Sequence, residues 1–172
     1  MKIVALVSSA ALLAAGIGLS HAAVAAEPLK IGVDTPLSGT YAPIGQQVRW
    51  GLELAAKEIN AAGGILGRQV KFIFEDGEAK PPVAVQRADK LFQVDKVDFL
   101  TGTVSSGVTL AVGQVAERND RLMATTVSFA DSITGSQCSP NVFRVNAKAG
   151  EQSGALAAWV AKERPKALVF FL

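Results

Sequence analysis

The sequence predicts an α/β fold, a doubly wound parallel sheet with helices on both faces. Three observations predict it. From Glu27 onward, short apolar runs of strand length alternate with longer segments of helical period. The runs "FIF", "FL" and "LVFFL" are apolar on consecutive residues, as strands covered on both faces are. The connections between runs are short, which suits right-handed strand-helix-strand crossovers.

The elements follow in order. "LKIGV" (29–33) reads as a strand, closed by the turn "DTPLSG". Residues 43–61 read as a helix, with Ile44, Val48, Leu52, Ala55 and Ile59 on one face. Arg49, Glu53 and Lys57 form a charged ladder at i,i+4 spacing, and Gly63-Gly64 stops the helix. "QVKFIF" (69–74) is a second strand, followed by "EDGEAKPP"; Pro81-Pro82 then opens a helix to about 94. "VDFLTG" is a third strand, 105–118 a third helix and "RLMATT" a fourth strand. "NVFRV" (141–145) is a fifth strand, 150–163 a helix, and "KALVFFL" a last strand.

The 172 residues are 49% hydrophobic with 16 Gly, which suits one globular domain or a piece of a larger one. The net charge is +2, from 17 basic and 15 acidic residues spread along the chain. No basic block or aromatic-interleaved basic stripe occurs, so nucleic acid is not an expected partner. Residues 1–26 are a different material: Lys2, then no charge until Glu27, with small residues crowding the end. This is the pattern of a cleaved secretory signal, preferred over a membrane anchor because the run is Ala/Gly/Ser-rich, and it implies export. The leader holds His21, the only histidine. Without it no Ser-His-Asp triad, Cys-His dyad or His-containing zinc site can form. Cys138 is the single cysteine, so no internal disulfide is possible. No phosphate-loop or dinucleotide fingerprint is present, and neither a metal nor a cofactor is expected.

In a parallel sheet, ligands bind outside the carboxyl ends of the strands. Four loops gather there: "DTPLSG", "EDGEA", "TGTVSSG" and "TTVSFADS". In the third, Ser105 and Ser106 stand where a strand hands over to a helix. They could only cap the helix. Alternatively, the first helical amides, which lack intrahelical acceptors, could hold a carboxylate with no Lys or Arg. The loop alone favours caps; the four loops together favour binding. Asp34, Glu75, Asp76 and Glu78 are expected to cap turns and solvate the rim, with no acid/base role. Trp50 and Trp159, inside helices, are expected to pack.

The run "IGVDTPLSGTYAPIGQQVRWGLELAAKEINAAGGILGRQV" resembles the start of mature extracytoplasmic substrate-binding proteins of ABC transporters, in the leucine/isoleucine/valine branch. "PLSG", the "IN-AAGGILGR" run, a Gly-Ser-rich loop and "NVFRV" carry the likeness, which extends over the chain after the leader. The resemblance implies a two-lobed periplasmic receptor, not an enzyme. Such a receptor is monomeric when complete, captures a small-molecule solute and delivers it to ABC permease membrane subunits. It divides the chain into a signal (1–26), an N-terminal lobe (27–147) and the start of a second lobe (148–172). Only part of that second lobe is present, so the 172-residue chain is expected to be a fragment or a truncated gene product that binds ligand weakly or not at all. Carried over by position, the ligand residues are Ser105, Ser106, Val127, Ser128 and Phe129, with Tyr41 in the first loop; Ser106 matches better than Ser105. Phe129 replaces a family Thr that grips an amino acid's polar groups; either its ring packs into the lobe core, or it points to an aromatic or other organic acid over leucine. Arg144, near the lobe crossing, is expected in an interlobe ion pair. The same lobe pair also serves as a receptor ectodomain or an amide-type sensor, and that alternative stands beside the transport reading.

Overall fold

The computed structural model describes residues 26–168. The leader, apart from Ala26, lies outside the described residues, as do residues 169–172 of the last expected strand; residues 166–168 are in no strand. Five strands form one sheet: β1 (Leu29–Thr35), β2 (Val70–Asp76), β3 (Phe99–Gly102), β4 (Met123–Thr125) and β5 (Val142–Arg144). Every pairing is parallel, and the order is β2-β1-β3-β4-β5. The helices are α1 (Ala42–Ala61), α2 (Pro81–Gln93), α3 (Ser106–Arg118) and α4 (Ala149–Glu163). A short 3₁₀ turn, Asp131–Thr134, had no signal in the sequence. β1 runs two residues further than its apolar pattern, and β4 is shorter than "RLMATT".

The register explains which strand residues meet which helix. Paired residues in a parallel ladder share a face. Ile73, Gly32, Leu100, Met123 and Val142 form one continuous row across the sheet. This row faces α2 and α3, whose Ala84, Ala88, Leu91, Phe92, Val108, Val112, Val115 and Ala116 complete the core. Gly32 is required there: a Cβ would approach Leu100 Cδ2 to 2.6 Å. The neighbouring row, Phe74, Val33, Thr101, Ala124 and Phe143, faces the other way, toward α1. Arg49 of α1 lies 5.0 Å over the Phe74 ring and pairs with Glu53 at 2.8 Å.

The two faces are not equally closed. Gly45 is the one fully buried residue of α1, and α4 has none. Trp50 is 61% exposed and Trp159 53%, which corrects the expectation that both pack. Trp50 and Leu54 lie one turn apart on the outer side of α1, and Trp159 lies on a helix that buries nothing among the described residues. No described helix is long and apolar enough to cross a membrane.

Gly45 and Gly51 make opposite demands on the same helix. A Cβ on Gly45 would lie 1.7 Å from the Pro36 carbonyl oxygen, whereas one on Gly51 meets nothing within 4 Å. Glycine costs a helix interior up to about 1 kcal/mol relative to alanine. Denaturant unfolding is therefore expected to show Gly51→Ala more stable by about 0.5–1 kcal/mol. Gly45→Ala should be less stable by about 1–3 kcal/mol, because the backbone clash exceeds the helix gain.

Asp34, near the end of β1, is 1% exposed, and its Oδ2 has no hydrogen-bond partner. It is not a solvated rim acid: the 77–84 segment closes over it, and a Cβ on Gly77 would strike its Oδ1 at 2.0 Å. Burial, then the charges of Asp76 and Glu75, push its pKa from 3.8 up to about 7 against the opposing pull of Arg87. A folded pKa above the unfolded one gives stability that is full below about pH 4 and is lost as pH rises through about 7. At about 1.4 kcal/mol per pKa unit the limit is about 4 kcal/mol. Unfolding measured from about pH 4 to pH 7 should show falling stability, levelling off above pH 7. Asp34→Asn should flatten that slope and exceed the native chain at pH 8; an unchanged slope would assign it to other groups.

Candidate functional site

The order β2-β1-β3 puts a topological switch between β1 and β3. The chain leaves β1 toward α1 on one face and leaves β3 toward α3 on the other. A crevice between the two departing loops follows from that divergence. Helices α1, α2 and α3 all begin at this carboxyl edge, and none has a side-chain cap. The positive ends of their dipoles therefore face one rim, but only α3 leaves a full first turn of amides open there: α1 pairs those of Ala42 and Ile44 with the Gly39 and Tyr41 carbonyls, and α2 opens on Pro81-Pro82.

The turn from β3 into α3 is tightly constrained. Gly102 has φ +98° and Thr103 φ +60°. Glycine is needed at 102, since a Cβ would lie 2.6 Å from the Asp34 carbonyl oxygen. The Thr103 amide donates to that same carbonyl at 2.7 Å, pinning the β3 exit to β1. A threonine in the left-handed region is strained and is held only where its surroundings over-determine it.

What holds it is a buried ladder of hydroxyls. Thr103 Oγ1 donates to the Gly102 carbonyl at 2.7 Å, accepts from Thr109 Oγ1 at 2.9 Å, and lies 3.1 Å from Thr125 Oγ1. Thr109 Oγ1 is in contact with Ser128 Oγ, and Ser128 Oγ donates to the Val104 carbonyl at 3.2 Å. All four side chains are buried. The ladder ties the β3–α3 turn, helix α3, β4 and the loop after β4 into one unit.

The six residues expected at the site fall in distinct places. Neither Ser105 nor Ser106 caps α3. Ser106 Oγ accepts from the Ala130 amide at 3.2 Å, joining its loop to the 126–130 loop, while Ser105 Oγ has no partner among the described residues. Ser128 is fully buried, with its hydroxyl spent inside the ladder. Phe129 is 44% exposed, with its ring outside the lobe core, and Val127 is half-buried. The structure thus brings Ser105, Ser106 and 127–129 together. Tyr41 lies on the same edge but lines a separate hollow of about 270 Å³ with Ser38, Thr40, Glu78 and Lys80. Val127 also lines an open groove of about 350 Å³ with Ile44, Val48 and Leu52. A further hollow of about 510 Å³ runs along the α3 flank from Gly107 to Glu117, beside Cys138.

The acids are supports. Asp76 Oδ1 accepts from the Leu37 and Glu78 amides, both at 2.9 Å, capping the β1–α1 and β2–α2 turns as expected. Burial raises its pKa, but hydrogen bonds from the Ser38 hydroxyl and from the Leu37, Glu78 and Ser38 amides outweigh that and hold it below the usual value. Glu75 pairs with Lys90 and Arg87, and Glu78 with Lys80. Arg144 makes no ion pair among the described residues and bonds to the main-chain carbonyls of Ser128 and Ala130. No group of His, Cys, Asp and Glu among the described residues could hold a metal ion. The ladder threonines and Arg144's carbonyl partners were missed in sequence. A hydroxyl at 109, beside the apolar stripe Val108, Val112 and Val115, is the one signal that could have shown them.

This edge can be set beside known proteins. A model of the periplasmic binding protein family matches residues 28–172. The Leu/Ile/Val-binding protein homolog 3 of Brucella melitensis is 38% identical over 149 residues, covering 87% of this chain and 39% of that protein. The chain thus spans about two-fifths of the length of such relatives. Among solved structures, a solute binding protein of an R. palustris ABC transporter, in complex with benzoate, superposes with a TM-score of 0.71 at 38% identity. That match covers 79% of this chain and 37% of the other. The branched-chain amino acid transporter substrate binding protein LivJ of Streptococcus pneumoniae, in complex with isoleucine, gives 0.72 at 27% identity, covering 79% and 38%. Family match, sheet order and strand-end crevice agree, and the chain belongs to the periplasmic binding protein family.

Proposed function

We propose that this chain is part of the solute-binding component of an ABC uptake transporter: it captures a small carboxylate outside the inner membrane and delivers it to a permease. In this reading residues 1–26 are the export signal, 27–147 the N-terminal lobe, and 148–172 the start of a second lobe. The observation that carries it is a rim of main-chain donors. The α3 first turn has no side-chain cap, and across from it Val127, Ser128 and Phe129 have amides with no protein acceptor among the described residues. Two sets of free amides at the end of a helix dipole suit an anion without a cationic side chain. Ser105 Oγ adds a free hydroxyl. Ser106 and Ser128 serve by holding the loops together.

Within carboxylates, the reading favours an aromatic acid. Phe129 offers an exposed ring at the rim and no hydroxyl, and a neighbour at 38% identity is a benzoate complex. A ring-on-ring contact adds about 0.5–1.5 kcal/mol beyond burial. Tyr41, from the first loop, flanks the crevice.

Titration of ¹⁵N-labelled chain detects even weak binding. Benzoate is expected to shift the amides of 105–108 and 127–130 at lower concentration than leucine does. Phe129→Ala should weaken benzoate roughly threefold to tenfold. If benzoate leaves those amides unmoved, the anion site is disproved; if leucine saturates first, the aromatic preference is.

A further inference from the structure

The loop after β4 is one-sided. All four of its carbonyls from 127 to 130 are taken up by the segment 144–149. Arg144 Nη1 donates to the Ser128 carbonyl at 2.6 Å, and its Nη2 donates to that of Ala130. Asn146 Nδ2 donates to the carbonyls of Val127 at 3.3 Å and Ser128 at 3.2 Å. The Ala149 amide donates to the Phe129 carbonyl at 2.8 Å. On the opposite side, the amides of 127–129 are free and that of Ala130 reaches Ser106.

A trans peptide holds its C=O and N–H on opposite sides of one rigid plane. Whatever fixes the carbonyl of Ser128 therefore aims the amide of Phe129, and whatever fixes Val127 aims Ser128. Arg144 is suited to this. Its planar fork spans two carbonyls two residues apart, and no carboxylate among the described residues competes for it. Its Nε is further steadied by Thr134 Oγ1 at 3.4 Å.

We propose that Arg144 is a positioning residue of the binding site: it holds the 127–130 loop by its carbonyls, and so turns the loop's amides outward as donors. This rests on the carboxylate reading above for its ligand arm only. Arg144 touches no solute and acts through the peptide planes. The same contacts tie the loop to the segment leading into α4.

The test uses the full chain and two readouts. In Arg144→Ala, benzoate binding should weaken by about tenfold or more. Added methylguanidinium, which fits the vacated fork, should restore it. Arg144→Lys should recover only part, since an ammonium cannot span both carbonyls. Hydrogen exchange at the Ala149 and Ala130 amides should quicken in Arg144→Ala and slow again with methylguanidinium. Should Arg144→Ala fail to fold, Arg144→Lys carries the same comparison. Unchanged benzoate affinity, or unchanged exchange at those two amides, would overturn the proposal. If the native chain binds no carboxylate, the anion reading falls, and the exchange data alone still decide whether Arg144 holds the loop.

Discussion

The chain of buried hydroxyls through Thr125, Thr103, Thr109 and Ser128 is the constraint on which the candidate site depends. Each hydroxyl carries one proton and must donate it once, so the ladder has a direction as well as a shape. It closes on the carbonyls of Gly102 and Val104, in the very turn that Thr103 holds in a left-handed conformation. Without these partners, four polar groups would be dry and unsatisfied, at about 1–3 kcal/mol each. The position of the Ser105-Ser106 turn against the 126–130 loop is therefore set from beneath. The rim above is left free of structural duty, apart from the Ser106–Ala130 contact.

Sheet order and side-chain rows together explain why chemistry collects at one edge. The core row from Ile73 to Val142 is apolar throughout and seals one face. Two residues further along the strands, the same face carries Glu75, Asp34, Gly102, Thr125 and Arg144. Polarity thus changes abruptly within one strand end. Asp34 sits at that change, still out of water and already among acids, which is why its carboxyl holds its proton so high. The α1 face is looser: Phe143, Trp50 and Leu54 remain in solvent there among the described residues.

Much of this was legible in the chain. Period alone placed every helix to within a residue or two and five of the strands, because each helix carries an apolar stripe and each strand a short apolar run. The Gly-Ser loop at a strand end was legible as a candidate site for the same reason. What stayed hidden is non-local. Whether Ser105 or Ser106 is tethered depends on the phase of α3 against a loop more than twenty residues away. The burial of Asp34 depends on Gly77 closing over it, and alternation along β1 cannot report that. Amphipathic pattern also overstated α1, whose tightest contact is made by a glycine. The 3₁₀ turn at 131–134 is too short to carry a period, and its Asp131-Ser132 start reads like any loop, so it left no distinct trace.

The donors left open at the rim belong to the main chain, at the first turn of α3 and at 127–129. An amide is supplied by every amino acid save proline, so most substitutions leave it in place. On the proposed carboxylate reading, grip on a negative charge is in this way insulated from most substitutions, while the ring at Phe129 and the groove beside Val127 stay free to diverge. A receptor of that kind could exchange one acid for another without first losing its hold on acids.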